Sequence, residues 1–186
     1  MKMNNRGIID TLRNIKNLKT YLTYTAIILL TVGLDQLTKL LAAKYLTKVA
    51  TVPIVEGVIH LTYLENRGAA FGMLQNHRWV FMLISTVTII GLLIYLYLGK
   101  APNRLYGVSL AMIIGGGIGN MIDRTAFGYV VDFIDFRLIN FAVFNGADSF
   151  VCVGAGILVL AMLLDIKKEA QLEKVKKEQK KETNEK

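Results

Sequence analysis

Cysteine and histidine are scarce in this sequence, which limits the kinds of site that it can build. Cys152 is the only cysteine among 186 residues, so an intramolecular disulfide is excluded and the redox compartment stays undetermined. It lies in an apolar run without a histidine, where a thiol usually packs as a small hydrophobic group. The two histidines, His60 and His77, lack the spacing of metal ligands. We therefore expect no metal, no cofactor and no cysteine nucleophile.

The N-terminus lacks the pattern of a cleavable signal peptide. Its apolar run begins only after about twenty polar and basic residues, and no small-residue cleavage site follows. We expect residues 1–19 to form a cytoplasmic N-terminal extension, and the apolar run to remain in the protein as an anchor.

Apolar residues are abundant, and long uncharged runs concentrate them. They make up 53% of the chain, and the mean hydropathy of +0.43 is too high for a typical water-soluble domain. Roughly 20 apolar residues cross a bilayer core of about 30 Å. The runs that approach this length are 20–34, 79–99, 105–122 and 149–164. If the first continues to residue 43 and the last begins near Asp148, they predict an all-α integral membrane protein with four transmembrane helices over residues 20–165.

Basic residues mark the predicted cytoplasmic side. They precede the first run, separate the second from the third and fill a lysine-rich tail over residues 166–186, and positive flanks favour the cytoplasm. Both termini are therefore predicted to be cytoplasmic, with the segments 44–78 and 123–148 outside. This pattern accounts for the formal charge of +8 without a nucleic-acid partner. We expect the tail to be a solvated helix or disordered, close to anionic lipid.

The outer segments carry a different pattern. The stretch "VPIVEGVIHLTYLEN" alternates apolar and polar residues and is rich in β-branched types, which predicts a small strand pair. The glycines of "ENRGAAFG", over residues 65–72, predict a turn after it, and residues 125–144 are a candidate lid. The predicted fold is thus four transmembrane helices with a small extracytoplasmic β element and a short extracytoplasmic helix or lid.

Three aspartates converge on one depth of the membrane. At about 1.5 Å per helical residue, Asp35, Asp123 and Asp148 lie roughly 24 to 28 Å from the cytoplasmic charges of their spans, near the outer boundary of the hydrocarbon. Charged groups at that depth face the bundle interior or a wet cavity and mark a functional site. Asp35 and Lys39 lie one helical turn apart, and Asp123 is followed by Arg124, so both acids are expected to be paired.

Asp132 and Asp148 have no basic residue beside them. Two close carboxylates without cationic partners hold one proton between them, and such a pair can perform aspartyl-protease chemistry. One carboxylate takes a proton from the attacking water, while its protonated partner polarises the amide carbonyl and then supplies the leaving amine. Spacing and depth alone leave a second interpretation open, in which Asp132 is an ordinary loop residue and Asp148 caps a helix.

Glycines and asparagines around these acids fit a buried polar site. Gly115 and Gly119 have the small-xxx-small spacing that allows helices to approach closely, which predicts packing. Asn120 and Asn145 lie near the predicted membrane boundary, where amides need hydrogen-bond partners. Side chains aimed at a substrate backbone or at the catalytic acids would find such partners.

Five motifs follow one another along the chain: "DQLTK", "NRGAAFG", "GGGIGNMIDR", "VVDFIDF" and "FNGADS". Each is weak alone, but the ordered set over residues 24–165 resembles the lipoprotein signal peptidase family, also called signal peptidase II. The resemblance implies an aspartyl endopeptidase of the bacterial cell membrane that needs no cofactor. It implies bacterial prolipoproteins as substrates, which carry a diacylglyceryl group on the cysteine after the signal peptide and are cut just before that cysteine. We expect a monomer in contact with membrane phospholipid.

The same resemblance assigns roles to particular residues. By match to the family motifs, it implies Asp132 and Asp148 as the catalytic pair. It also implies binding and structural roles for Asp35, Lys39, Asn66, Gly68, Asn120, Asp123, Arg124 and Asn145. Asp135 matches no catalytic position, and we expect it to be solvated or to form local hydrogen bonds.

Three other functions are compatible with parts of the sequence. A small proton- or cation-coupled membrane transporter would use boundary acids, but transport sites favour the bilayer midplane and no internal repeat is evident. A protease built on Ser149 and Lys39 would need a desolvated lysine, which Asp35 one turn away opposes. A structural membrane adaptor would need no chemistry.

Overall fold

Four α-helices and one small antiparallel sheet make up the computed structural model, which describes residues 5–49, 51–68 and 78–184. Along the chain the elements are α1 (Asn5–Leu46), β1 (Val52–Val55), β2 (Ile59–Asn66), α2 (Arg78–Tyr97), α3 (Arg104–Ala126), β3 (Val130–Phe136), a 3-10 helix (Arg137–Ile139) and α4 (Gly146–Asn184). The prediction of a mostly helical protein with a small β element is confirmed.

Three of the helices are long and apolar enough to cross a membrane. These stretches are Asn17–Leu46, Arg104–Ala126 and Gly146–Lys177, and α2 contributes a shorter apolar stretch, Met82–Tyr97. Each of the four predicted runs therefore lies on a helix. The fourth crossing, by α2, stays a prediction.

Asparagine side chains cap the N-termini of two helices. The Oδ1 atom of Asn103 accepts hydrogen bonds from the backbone N–H of Leu105 at 2.9 Å and of Tyr106 at 3.4 Å. These bonds satisfy two of the N–H groups that have no partner within the first turn of α3. Asn145 does the same before α4, where its Oδ1 accepts from Asp148 N at 3.0 Å. A short polar residue in front of an apolar run thus fixes where each helix begins.

Glycines on α3 allow this helix to pack closely against its neighbours. A Cβ atom added at Gly115 would lie 2.7 Å from the Thr31 side chain on α1. At Gly119, an added Cβ would collide with the carboxylate of Asp35. The packing role predicted from the small-xxx-small spacing is confirmed, and the second glycine also makes room for a buried acid.

The sheet lies at the C-terminal end of α1 and contains three strands in the order β1-β2-β3, all antiparallel. Val131 of β3 packs against Ala42 and Leu46 in the last turns of α1. The predicted strand pair forms, but the prediction missed the third strand. "VVDFIDF" is β3, so the interpretation of Asp132 as a loop residue is wrong.

The remaining boundaries differ modestly from the predicted ones. The helix α3 continues to Ala126, and β3 with the 3-10 helix occupies much of the predicted lid over residues 125–144. Both ends of the chain continue neighbouring helices, since α1 begins at Asn5 and α4 extends to Asn184. The tail is therefore helical over its described residues.

Candidate active site

A buried lysine joins two carboxylates from different helices. The Nζ atom of Lys39 lies 2.8 Å from Asp35 Oδ2 and 3.1 Å from Asp123 Oδ2, and it donates to Asn120 Oδ1 at 2.8 Å. The predicted pair of Asp35 and Lys39 is confirmed. The expected pairing of Asp123 with Arg124 is wrong, because adjacent helical residues point in different directions. Arg124 instead donates to the carbonyl oxygen of Asn120 at 3.4 Å.

Asp35 and Asp123 also accept hydrogen bonds that connect the elements of the fold. The backbone N–H of Ala147, at the start of α4, donates to Asp35 Oδ1 at 2.7 Å. The backbone N–H of Val131, on β3, donates to Asp123 Oδ2 at 3.2 Å. Both acids therefore hold neighbouring elements in place around the site, as well as neutralising Lys39.

Gln36 is a site residue that the sequence analysis missed. Its Nε2 atom donates to Asp123 Oδ1 at 2.9 Å and to the carbonyl oxygen of Gly119 at 3.2 Å. The only available signal was its position inside "DQLTK", since an amide between two charged residues of an apolar helix needs a partner. The sequence did not indicate which helix supplies that partner.

Asp148 and Asn145 form a reciprocal cap at the start of α4. The backbone N–H of Asn145 donates to Asp148 Oδ2 at 3.2 Å, and Asn145 Oδ1 accepts from the backbone N–H of Asp148. The other oxygen of Asp148 accepts from Asn120 Nδ2 at 2.8 Å. This geometry is a capping box, in which Asn145 is the N-cap and Asp148 the third helical residue. One oxygen of Asp148 thus stabilises the start of α4, and the other accepts the hydrogen bond from Asn120.

Asp132 is fixed by two amides and is 1% exposed. The Nδ2 atom of Asn145 donates to Asp132 Oδ1 at 2.6 Å, and the Nδ2 atom of Asn66 donates to Oδ2 at 2.9 Å. Asn66 is itself held in a local turn, because its Oδ1 accepts from Gly68 N at 3.0 Å. The rest of the predicted glycine turn, residues 69–72, lies outside the described residues. Asn145 therefore contacts both unpaired aspartates: Asp148 through the helix cap and Asp132 through its side-chain amide.

Burial changes the proton affinity of Asp132. Removal from water raises the pKa of its carboxyl to about 6, and the negative charge of Asp148 acts in the same direction. Hydrogen bonds from Asn66 and Asn145 oppose this rise. Asp132 therefore keeps a proton over a wider pH range than an exposed aspartate does, and the charge of Asp148 is close enough to influence it.

Both unpaired aspartates line one cavity of about 640 Å³. Its polar lining includes Asn66, Asn120 and Arg124, and its apolar lining includes Leu64, Val143 and Phe144. Pockets of this size accommodate drug-sized ligands and peptide segments. Cys152 also lines the cavity and is exposed, so the expectation that it packs as a buried group is wrong.

Other candidate groups are engaged in contacts that do not involve the two unpaired aspartates. Asp135 accepts hydrogen bonds from Thr62 Oγ1 and Arg137 Nε, both at 2.9 Å, so the expected local bonding is confirmed. Ser149 Oγ donates to the carbonyl oxygen of Asn145 at 2.9 Å, while Lys39 is bound by two carboxylates, an arrangement unlike that of a serine and lysine protease. Within the part of the chain that the structure describes, no three or more His, Cys, Asp or Glu side chains group as metal ligands.

Comparison with known proteins connects this geometry to one family. Residues 27–164 match the family model described as "Signal peptidase (SPase) II". A protein named lipoprotein signal peptidase from Caldanaerobacter subterraneus subsp. tengcongensis is 54% identical over 137 residues, which are 74% of this chain and 93% of that protein. Proteins of the same name from Brevibacillus brevis and Bacillus subtilis are 47% and 43% identical, over 78% and 76% of this chain and 97% and 94% of theirs.

Solved structures have the same fold. A bacterial membrane enzyme determined by the in meso method at 2.3 Å resolution superposes with a TM-score of 0.71 at 31% identity, covering 77% of this chain and 89% of the other. A second one, at 1.9 Å resolution, gives a TM-score of 0.68 at 31% identity, with 76% and 92% covered.

Proposed function

The chain belongs to the signal peptidase II family, and from this membership we propose that Asp132 and Asp148 cleave signal peptides from bacterial prolipoproteins. Members of the family are lipoprotein signal peptidases, which are aspartic peptidases of bacterial membranes. The relatives give no support to a proton- or cation-coupled transporter.

The observation that carries the proposal is the position of Asn145 between the two acids. Its amide donates to Asp132 at 2.6 Å and its backbone N–H donates to Asp148 at 3.2 Å. A single residue therefore fixes the two carboxylates relative to each other and to the cavity. Preorganised carboxylates of this kind are what a two-acid hydrolysis requires.

In the proposed reaction the ionised carboxylate of the pair removes a proton from a water molecule as the water attacks the scissile carbonyl. The protonated carboxyl donates to the carbonyl oxygen and stabilises its developing negative charge. When the tetrahedral intermediate collapses, the C–N bond breaks and the amine leaves with a proton from the pair. No metal or cofactor takes part in these steps. The raised pKa of Asp132 favours a shared proton at the start of the cycle.

The supporting residues divide into two groups in this proposal. Asn66, Asn120 and Asn145 orient the two carboxylates directly, through bonds of 2.6 to 2.9 Å. Asp35, Lys39 and Asp123 form an ion-paired cluster, and Lys39 of this cluster donates a hydrogen bond to Asn120. Arg124 lines the cavity and is available to substrate carbonyl oxygens, and Gly68 fixes Asn66.

The lining of the cavity supports the substrate that family membership suggests. A cysteine that carries diacylglycerol keeps its acyl chains in the bilayer, so the bond before it is presented at the membrane boundary. A cavity with apolar walls and two carboxylates suits a scissile bond at that depth. We propose cleavage just before the lipidated cysteine, with the segment of residues 45–71 helping to clamp the substrate.

The proposed topology has four spans with both termini in the cytoplasm. The segments 44–78 and 123–148 then lie outside, apart from the last turn of α3, and the sheet and the two aspartates are near the outer face. The described part of residues 1–19 and the tail over 166–184 continue α1 and α4 into the cytoplasm. We propose that the protein acts as a monomer surrounded by phospholipid.

Cleavage of a diacylglyceryl-modified prolipoprotein in detergent tests the proposal. Asp132→Asn and Asp148→Asn should each abolish measurable cleavage, whereas Asp135→Asn, in the same strand as Asp132, should remain active. Thermal unfolding of each variant reports whether it is folded. Full activity in either of the first two variants would show that the catalytic pair is wrongly assigned. A folded but inactive wild type would contradict the proposed substrate.

A further inference from the structure

Two charged side chains on the rim of the cavity have no part in the reaction described above. Glu65 and Arg67 line the cavity on either side of Asn66. The Nη2 atom of Arg67 lies 3.0 Å from Glu65 Oε2. The guanidinium also lies over the ring of Tyr129, 5.7 Å from its centroid. Both contacts restrain Arg67 at the cavity entrance.

The two charges are not equally available to a ligand. Both carboxylate oxygens of Glu65 are engaged, since Oε1 accepts from Tyr63 at 3.4 Å and Oε2 from Arg67. The Arg67 side chain is 72% exposed, against 37% for Glu65. A guanidinium has five N–H donors, and among the described residues Glu65 is the one acceptor of a hydrogen bond from Arg67. The rim therefore presents N–H donors of Arg67, the more exposed member of the ion pair.

The position of Arg67 in the chain fixes which part of a substrate it meets. Its neighbour Asn66 donates directly to Asp132 Oδ2. Successive residues of an extended segment are about 3.3 Å apart, so a group at Arg67 lies within a residue or two of the bond to be cut. A side chain this close to the scissile bond can discriminate between substrate residues next to that bond.

The lining of the cavity separates the two halves of a substrate. Val143, Phe144 and Cys152 form an apolar side, which suits the apolar end of a signal peptide. Glu65 lies in β2 along one edge of β3, and Arg67 follows β2 directly, whereas Phe144 bridges Ile134 along the other edge of β3. A polar segment that leaves the cavity towards water passes the β2 side, and in a prolipoprotein that segment is the one after the lipidated cysteine.

We propose that Arg67 determines specificity by binding a carboxylate in the substrate residue that follows the lipidated cysteine. The inference rests on the proposed function. A charge-assisted contact at a largely exposed side chain changes kcat/KM by roughly three- to tenfold, because water and salt screen part of the attraction. The preference is for acidic over basic residues, since both oxygens of Glu65 already accept hydrogen bonds, whereas the more exposed Arg67 retains N–H donors.

The test uses the full-length enzyme in detergent and three diacylglyceryl-prolipoproteins that differ only in that one residue: Asp, Asn or Lys. Wild type should have a higher kcat/KM for the Asp substrate than for the Lys substrate. Arg67→Gln should reduce this ratio by roughly three- to tenfold, and Arg67→Glu should invert it. Lys48→Gln is the matched control, because Lys48 is also exposed near the sheet but does not line the cavity. Its ratio should equal that of wild type.

Each other outcome rejects one specific statement. An unchanged ratio in Arg67→Glu would overturn the inference, and so would an equal loss on all three substrates, which would indicate attraction of lipid phosphate or a structural role. Wild type that cleaves none of the three substrates would contradict the proposed function instead. As an independent readout, the preference of wild type should fall with added NaCl, and a preference insensitive to salt would also overturn the inference.

Discussion

At the scale of single residues, Asn145 combines two roles. Its side-chain oxygen caps α4, and its side-chain nitrogen donates to Asp132. The amide is fully buried and every polar atom of the side chain has a partner. The position of the Asp132 carboxylate therefore depends on where α4 begins.

Substitutions of Asn145 can separate the two roles. Asn145→Ser keeps a side-chain oxygen that caps helices well but removes the donor to Asp132, whereas Asn145→Ala removes both. We expect both variants to lose kcat/KM by on the order of 10²-fold, as when one preorganised donor is removed. Both variants lose the buried hydrogen bond to Asp132, but only Asn145→Ala also loses the helix cap, so it should be less stable than Asn145→Ser by about 1 kcal/mol. Prolipoprotein cleavage and thermal unfolding measure the two effects, and an active Asn145→Ser would argue against the amide contact.

The raised pKa of Asp132 predicts a pH-dependent stability. With a folded-state pKa of about 6 and an unfolded value near 4, the carboxyl stabilises the fold at low pH, and this contribution is lost as pH rises through about 6. Asp132→Asn has no charge to bury. Its Tm relative to wild type should therefore increase between about pH 4 and pH 6 and stay constant above that range.

Asp135→Asn is the control for this measurement. Burial would raise the pKa of Asp135, but hydrogen bonds from Arg137 and Thr62 lower it overall. Its titration thus lies below about pH 4, the ordinary value for an aspartate. The Tm difference of Asp135→Asn should be flat where that of Asp132→Asn rises. Two flat profiles would contradict the assigned environment of Asp132.

At the scale of elements, α3 is the helix around which the site is assembled. It packs on α1 and α4, and its glycines allow side chains of both helices to reach it. Gly119 is the critical position, because its missing side chain leaves room for the Asp35 carboxylate. An added methyl group would displace the acid that anchors Lys39 and the start of α4.

Gly119→Ala should therefore reduce both stability and activity. Overpacking costs about 1 to 3 kcal/mol, and the displaced Asp35 should lower the cleavage rate as well. Gly33→Ala is the matched control on α1, where an added Cβ has no neighbour within 4 Å. That control should be neutral or slightly stabilising, because alanine favours helices. Denaturation in detergent together with the cleavage assay distinguishes the two variants, and equal stability would refute the packing argument.

Elements that depend on local pattern were predictable from the sequence, and those that depend on distant contacts were not. The four apolar runs gave the helices, and "VPIVEGVIHLTYLEN" gave a strand pair. The pairing of β3 with β2 joins residues such as Asn66 and Val130, and no local pattern reveals it. The second partner of Lys39 was missed for the same reason, since Asp123 belongs to another helix. Asp132 and Asp148 were singled out because they lacked a base nearby, which is a local property.

At the scale of the whole molecule, α1 and α4 both continue well beyond their apolar parts. The apolar stretches begin or end near Asn17 and Lys177, while the helices extend to Asn5 and Asn184. The sheet lies at the opposite end of α1 from these extensions. The proposed topology therefore places the extensions and the sheet on opposite sides of the membrane.

Labelling in intact cells tests this arrangement. In a Cys152→Ala background, Glu56→Cys in the hairpin between β1 and β2 should react with a membrane-impermeant maleimide, because Glu56 is 83% exposed on the proposed outer side. Lys174→Cys, on the exposed surface of the tail, should react only after the cells are permeabilised. Labelling of both sites in intact cells would refute the topology.

The ion pair of Asp35 and Lys39 also bears on how the chain is made. Translation releases α1 before α3 exists, so Asp123 is not yet available to Lys39. Because Asp35 lies one turn away, with Nζ and Oδ2 2.8 Å apart, the nascent helix carries its own counterion into lipid, where a lone charge is costly. Asp123 arrives later and draws α3 against α1. Lys39 is thus neutralised within its own helix before any other helix is made, and its second carboxylate comes from a helix that is made later.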